Sequence, residues 1–306
     1  MPLLTKQRVL AAKLEVTSGT PVTLTSGTDG MINAYDVVID GDIPYNERVA
    51  AGAFGRQQST VGAYAGSLKF KVEAYGSGTA GTAPAWSTVL LEACAMTQAS
   101  GLFTPISAGA SQKSATIAVY EDGGRKMLAG AMGTWTFNAE DGKPGVFEFD
   151  FKGVWQPVTD VAMFTPQFST VIPPRFAGAT LTIGAYTPTM SKLSIAYGAK
   201  VEMREDVTQT GGYIAAIITD RKVTGKLDPE MTLVASYDAF GAWLAGTTAA
   251  LSVAFGPSGA GFTIAAPVLQ YTGIKEGDRN GKVISNLDFI AAQNGSTPDS
   301  EISIQF

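Results

Sequence analysis

Histidine is absent from this chain, and cysteine occurs once, at Cys94. No Ser-His-Asp or Cys-His relay can be built, the commonest general base is missing, and most zinc sites lose their ligands. Cys94 lies in the apolar stretch Leu90–Met96 and reads as a small buried side chain without a disulfide partner. Carboxylates are what remains. Glu148 with Asp150, or Glu202 with Glu205, offers the two acids that a glycosidase needs at a set separation. The first spacing is also that of one solvated strand face. Asp278-Arg279-Asn280 presents oxygen ligands, but no EF-hand spacing follows. The glycine runs Gly76-Ser77-Gly78 and Gly256–Gly261 match neither a phosphate loop nor a dinucleotide fingerprint, and read as turns. These residues predict no enzyme, no cofactor and no metal.

The elements that carry the carboxylates are strands. In SLKFKVEAY (67–75), Leu68, Phe70, Val72 and Ala74 share one face, while Lys69, Lys71 and Glu73 share the other. In Val146–Phe151, three phenylalanines face one way and Glu148 and Asp150 the other. Trp86, Leu90, Ala93 and Cys94 recur at helical spacing and predict a short amphipathic helix over one sheet face. Gly41–Gly66 has no period; a connection that long is expected to be functional or to order on a partner. Val154–Arg175 carries four prolines and reads as a boundary.

A second run then begins. Ala179–Ile183, Lys192–Ala196, Tyr213–Thr219 and Lys222–Leu227 read as strands, with a charged loop over Lys200–Gly212. The meander of Ser114–Gly153 finds its echo in Ala249–Ala292, where Phe149-Asp150-Phe151 falls on Leu287-Asp288-Phe289. Tyr237–Gly246 echoes the helix at Trp86. The expected organisation is an arm (1–19), a first β-domain (20–155), a Pro-rich linker (156–176), a second copy (177–292) and a C-terminal arm (293–306). In that arm Ile302, Ile304 and Phe306 alternate as a last strand, suited to adding to a sheet edge.

Composition narrows the function. A chain of 306 residues can bury two ordinary cores. Charged residues make up only 16% against 45% apolar, which predicts extensive subunit contacts. A net charge of −5 with no Lys/Arg run argues against a groove that grips nucleic acid. The opening MPLLTKQRVLAAKLEV does not read as a signal peptide, and no apolar run approaches a membrane span, so folding in a cytoplasm is expected.

In its order of strand, long loop, strand, short helix and meander, the chain resembles the tail tube protein of long-tailed bacteriophages. The resemblance spans most of residues 20–292. It is carried by SLKFKVEAY, the helix from Trp86, the meander GTWTF–NAEDGKPG–VFEFDFKG, and the counterparts IITDRKVTGKLDPEM, YDAFGAWLAG and GKVISNLDFIAA. It implies a mainly β chain: two tandem sandwich or half-barrel copies, each with one flanking helix. Inner sheets would join between subunits into a continuous β-barrel, in a trimeric ring with pseudo-sixfold symmetry.

Stacked rings would form a conduit for DNA ejection in the virion tail. The partners implied are the chain itself, other tail proteins (tape measure, terminator, baseplate or tip) and DNA in transit, with no membrane. Outward strand positions Glu148, Asp150 and Asp288 become candidate lumen residues. The loops become candidate inter-ring contacts, through Tyr45, Glu47, Arg48, Phe54 and Arg56 in the first copy and Glu202, Arg204, Glu205 and Asp206 in the second. The competing readings are a capsid decoration or fibre-type β-sandwich protein and a carboxylate-based glycosidase.

Overall fold

The computed structural model describes residues 4, 6–30, 32–52 and 54–306; positions 1–3 and 5 of the expected N-terminal arm lie outside the described residues. Residues up to 160 form β1 (Arg8–Leu14), β2 (Ala34–Asp42), β3 (Tyr45–Val49), β4 (Arg56–Val61), β5 (Ala65–Glu73), α1 (Ala85–Leu90), β6 (Met96–Ala99), β7 (Leu102–Pro105), β8 (Ala115–Glu121), β9 (Gly124–Glu140), β10 (Val146–Trp155) and β11 (Thr159–Asp160). The remainder forms β12 (Thr180–Ile183), β13 (Lys192–Ala196), β14 (Ala199–Glu205), β15 (Tyr213–Arg221), β16 (Thr224–Leu227), α2 (Ala239–Ala245), β17 (Thr248–Phe255), β18 (Phe262–Arg279), β19 (Lys282–Ala291) and β20 (Ser303–Gln305). The chain is mainly β.

One large sheet runs in the order β2, β5, β10, β9, β13, β16, β19, β18, β20, β7, β6, and it is open at both ends. Strand β8 joins β9 and carries β1; β17 joins β18 and carries β12. The pairing order β2·β5·β10·β9 before residue 160 thus has the same sequence of elements as β13·β16·β19·β18 after it. The two runs meet where β9 pairs with β13.

Alternation explains the strands. Leu68, Phe70 and Val72 on β5 and Phe147, Phe149 and Phe151 on β10 are all buried, with the charged neighbours turned away. β9 changes layer along its length: it pairs with β8 through Ala131, with β10 through Asn138, and with β13 from Thr136 onward. Its unbroken buried run Leu128–Gly133 marks the crossing, where Gly130 takes φ +58°. A side chain there would also collide with Ala215, 2.7 Å from a Cβ.

The main core holds one aromatic chain through both runs, and a smaller cluster of Val9, Ala11, Ala118, Tyr120 and Phe164 lies apart from it. Phe147 touches Trp86 (5.3 Å between centroids) and Phe137 (5.0 Å); Phe137 meets Phe262 (5.6 Å), which meets Phe306 (5.6 Å). Burying each ring contributes about 2–3 kcal/mol.

Four expectations change. Gly41–Gly66 is not aperiodic: its middle is the hairpin β3·β4. Lys200–Glu205 is not loop but strand β14, paired with β15. The helix over Trp86–Met96 stops at Leu90 and continues as a 3₁₀ turn over Glu92–Cys94, ended by Ala95 at φ +55°. The C-terminal strand adds to an edge of its own chain, between β18 and β7, with Phe306 packed edge-on to Trp86 and Phe103.

Candidate functional site: a charged sheet face and two hairpins

The side chains of β5, β10, β9, β13, β16, β19 and β18 that turn away from the core form one polar face, hollowed into an open depression of about 740 Å³. Period-two alternation places charged groups there on neighbouring strands, so they meet as cross-strand pairs. Asp150 lies 3.1 Å from Lys69, and Glu148 lies 3.6 Å from Lys71, which also holds Asp36 at 3.2 Å. Glu140 takes both Lys143 (2.7 Å) and Lys192 (3.2 Å). Asp288 takes Lys226 at 3.5 Å.

Hydrogen bonds from Lys143 and then Lys192 hold the Glu140 carboxyl below the usual range. A hydrogen bond to Asp36, then the charges of Glu148 and Asp36, push the Lys71 ammonium up. Such exposed pairs contribute little to stability. Their larger effect is to cancel charge locally, so that little field extends beyond a Debye length of about 8–10 Å.

Glu148, Asp150 and Asp288 therefore share one face, and each carries a lysine partner. Glu148 and Asp150 are not a convergent acid pair, because each is turned to its own lysine. Glu202 is likewise bound to Lys200 at 3.0 Å, and that contact lowers its carboxyl below the usual range. Among the described residues no three acidic or cysteine side chains gather as a metal site. Among them, too, no helix is long and apolar enough to cross a membrane. Cys94 is fully buried, which pushes its thiol well up.

The two hairpins differ. Tyr45, Glu47 and Arg48 on β3, Arg56 on β4 and Phe54 between them are all exposed. Glu47 and Arg56 approach to 3.4 Å. The hairpin β14·β15 instead lies on its own chain. Val201, Ala216 and Ile218 are buried, and the Tyr64 amide donates to the Gly211 carbonyl at 2.8 Å. Its outer residues Glu202, Arg204 and Glu205, and Asp206 beyond them, remain solvent-facing or half-exposed.

Two further charge nodes were not read from the sequence, since all but one of the groups that their charges bind, Gly19 beside Glu15, lie far along the chain. Arg221 lies over the Tyr197 ring at 5.4 Å, donates to Asp299 at 2.9 Å and contacts Glu301, pinning the C-terminal segment. Glu15 accepts from the Gly130 and Gly19 amides, both at 2.8 Å, and from the hydroxyls of Thr116 (2.8 Å) and Ser114 (2.6 Å).

A mainly β chain with an ion-paired polar face and open sheet edges has the features of a structural subunit. A model of the family described as phage tail tube protein matches residues 5–291, nearly the whole chain, and the chain belongs to that family. It is a structural protein of the phage virion tail. Among individually curated proteins, none matches it.

Proposed function

We propose that this chain polymerises as stacked trimeric rings into a tail tube through which DNA leaves the particle, and that it has no catalytic role. Each chain would carry the tube fold twice, over 20–155 and 177–292, so that three chains supply six quasi-equivalent positions. The observation that carries this reading is the recurrence of one pairing order with one ion pair in register. Lys69 stands opposite Asp150 between β5 and β10, and Lys226 opposite Asp288 between β16 and β19. Fusing two ring positions in one chain makes every second joint intramolecular and lowers the entropy lost on assembly.

The ion-paired face is the proposed lumen wall. A basic wall would hold phosphate through counterion release, and a wall of matched charges would not. Asp150, Glu148 and Asp288 would then contribute by neutralising lysines rather than by repelling DNA. Hairpin β3·β4 projects from the sheet with its side chains exposed and suits contact with an adjacent ring. The tape measure, terminator and baseplate or tip proteins are the further partners of such a tube.

Negative-stain electron microscopy of the purified protein across a concentration series tests the proposal. Hollow tubes or rings with threefold symmetry are expected. Compact monomers at all concentrations, with or without tail initiator proteins, would refute it.

A further inference from the structure

Inside the chain, the two runs of strands are joined by β9 and β13 in a defined register: Thr136↔Ala196, Phe137↔Ile195, Asn138↔Ser194, Ala139↔Leu193 and Glu140↔Lys192. The Lys192–Glu140 ion pair (3.2 Å) and a hydrogen bond from Ser194 to Asn138 (2.8 Å) close its polar side. The chain holds a second copy of each half of this joint, unpaired. Superposing Lys69–Asp150 on Lys226–Asp288 puts Val38, Ile39 and Asp40 of β2 in the places of Ser194, Ile195 and Ala196. The same match puts Lys275, Glu276 and Gly277 of β18 in the places of Thr136, Phe137 and Asn138.

Strand β2 ends the sheet, and the Lys275–Arg279 part of β18 pairs with β19 alone. Most acids and lysines of this face pair among themselves; Asp40 and Lys275, like Glu73 and Lys152, have no ion-pair partner among the described residues, and of these only Asp40 and Lys275 lie on the two unpaired edges.

We propose that β2 of one molecule adds to β18 of a second copy of this chain, antiparallel, in the register Val38↔Gly277, Ile39↔Glu276, Asp40↔Lys275. This rests on the tail tube reading and goes beyond it by assigning the edges and their register. Charge complementarity supports it: Asp40 meets Lys275 on the polar side. So do the apolar groups that each end leaves bare. Ile39 is only half-buried, whereas Ile195 is 1% exposed. On β3·β4, Tyr45 and Phe54 are exposed, whereas the matching hairpin β14·β15 buries Ala216 and Ile218 against β9 and β10. Beside β18, α2 leaves Leu244 and Trp243 exposed, whereas α1 buries Trp86 and Leu90. Glu276 in the place of Phe137 and Asp278 in the place of Ala139 depart from the apolar pattern. The contact is head-to-tail, so it closes into a ring or runs on as a filament.

Cysteine pairing tests the register, because side chains directly opposite on antiparallel strands come within about 4.5–5.5 Å and can be bridged. Chains bearing Asp40→Cys alone and Lys275→Cys alone are mixed under mild oxidation; Cys94 is buried and does not compete. A covalent dimer containing one of each is expected. It should be lost when Gly277→Cys replaces Lys275→Cys, two residues out of register. Rings or tubes of the unmodified chain by microscopy, without the 40–275 bridge, would overturn this joint and leave the tube reading standing. No assembly of the unmodified chain and no bridge would overturn both.

Discussion

Replacing Glu15 by alanine should destabilise the fold by about 2 kcal/mol. The carboxylate is 8% exposed and receives four hydrogen bonds. The hydroxyls of Ser114 and Thr116 can rotate toward other acceptors. The amides of Gly130 and Gly19 are fixed by the backbone. Leaving a buried donor unpaired costs about 1–3 kcal/mol, so the buried Gly130 amide and the half-buried Gly19 amide together account for about 3. Release of the carboxylate from its buried site returns part of this, which gives the net value.

For a chain of this size that corresponds to a Tm shift of about 3 °C. The loss should also be local. A Cβ on Gly130 would lie 2.7 Å from the Ala215 side chain, and one on Gly19 would lie 2.1 Å from the Ile214 carbonyl, so both glycines form the seat of β15. Thermal melts combined with amide exchange should show faster exchange in β15 than in β5 or β10. Glu15→Gln, which keeps one oxygen acceptor, should lose less. A melt unchanged within about 0.5 kcal/mol, with β15 exchange unaltered, would refute the reasoning.

Further outcomes follow from other sites. Gly225→Ala would place a methyl 2.2 Å from the Phe289 ring and should cost about 1–3 kcal/mol by overpacking, with partial recovery in Phe289→Leu; denaturant titration reads both. Phe306→Ala should cost about 3–5 kcal/mol, because the ring contacts Trp86, Phe103 and Phe262; a melt like that of the parent chain would make the C-terminal segment a free arm instead. Glu140, with its carboxyl held below the usual range by Lys143 and Lys192, contributes stability that is complete above its unfolded pKa of about 4.3 and lost as pH falls through its lower folded value. Glu140→Gln should therefore flatten the acid limb of the stability profile, and an unchanged limb would count against the pairing. Asp150→Lys sets two lysines opposite each other on the proposed lumen wall; assembly should persist while DNA exit slows, and normal ejection kinetics would remove this face from the bore.

Much of the sheet was legible in the chain itself. The alternation of SLKFKVEAY and VFEFDF determines which faces of β5 and β10 are buried, because side-chain direction in a strand has a period of two and only one face can leave water. The echo of Phe149-Asp150-Phe151 in Leu287-Asp288-Phe289 is likewise a local pattern, and so is the lack of histidine chemistry. The hairpin within Gly41–Gly66 was not legible, since β3 and β4 are exposed on both faces and carry no alternation; β15 was legible, but β14 read as a loop because its charged residues mask the buried Ala199 and Val201.

Nor could the sequence show that each candidate lumen carboxylate has a lysine partner. Lys69 and Asp150, or Lys226 and Asp288, are brought together only by strand register, which is fixed by the whole sheet. The same holds for Glu15 and Arg221, whose hydrogen-bond partners, Gly19 apart, come from segments far along the chain. Local period determined the faces, and tertiary structure alone decided which edges were paired and which were left open.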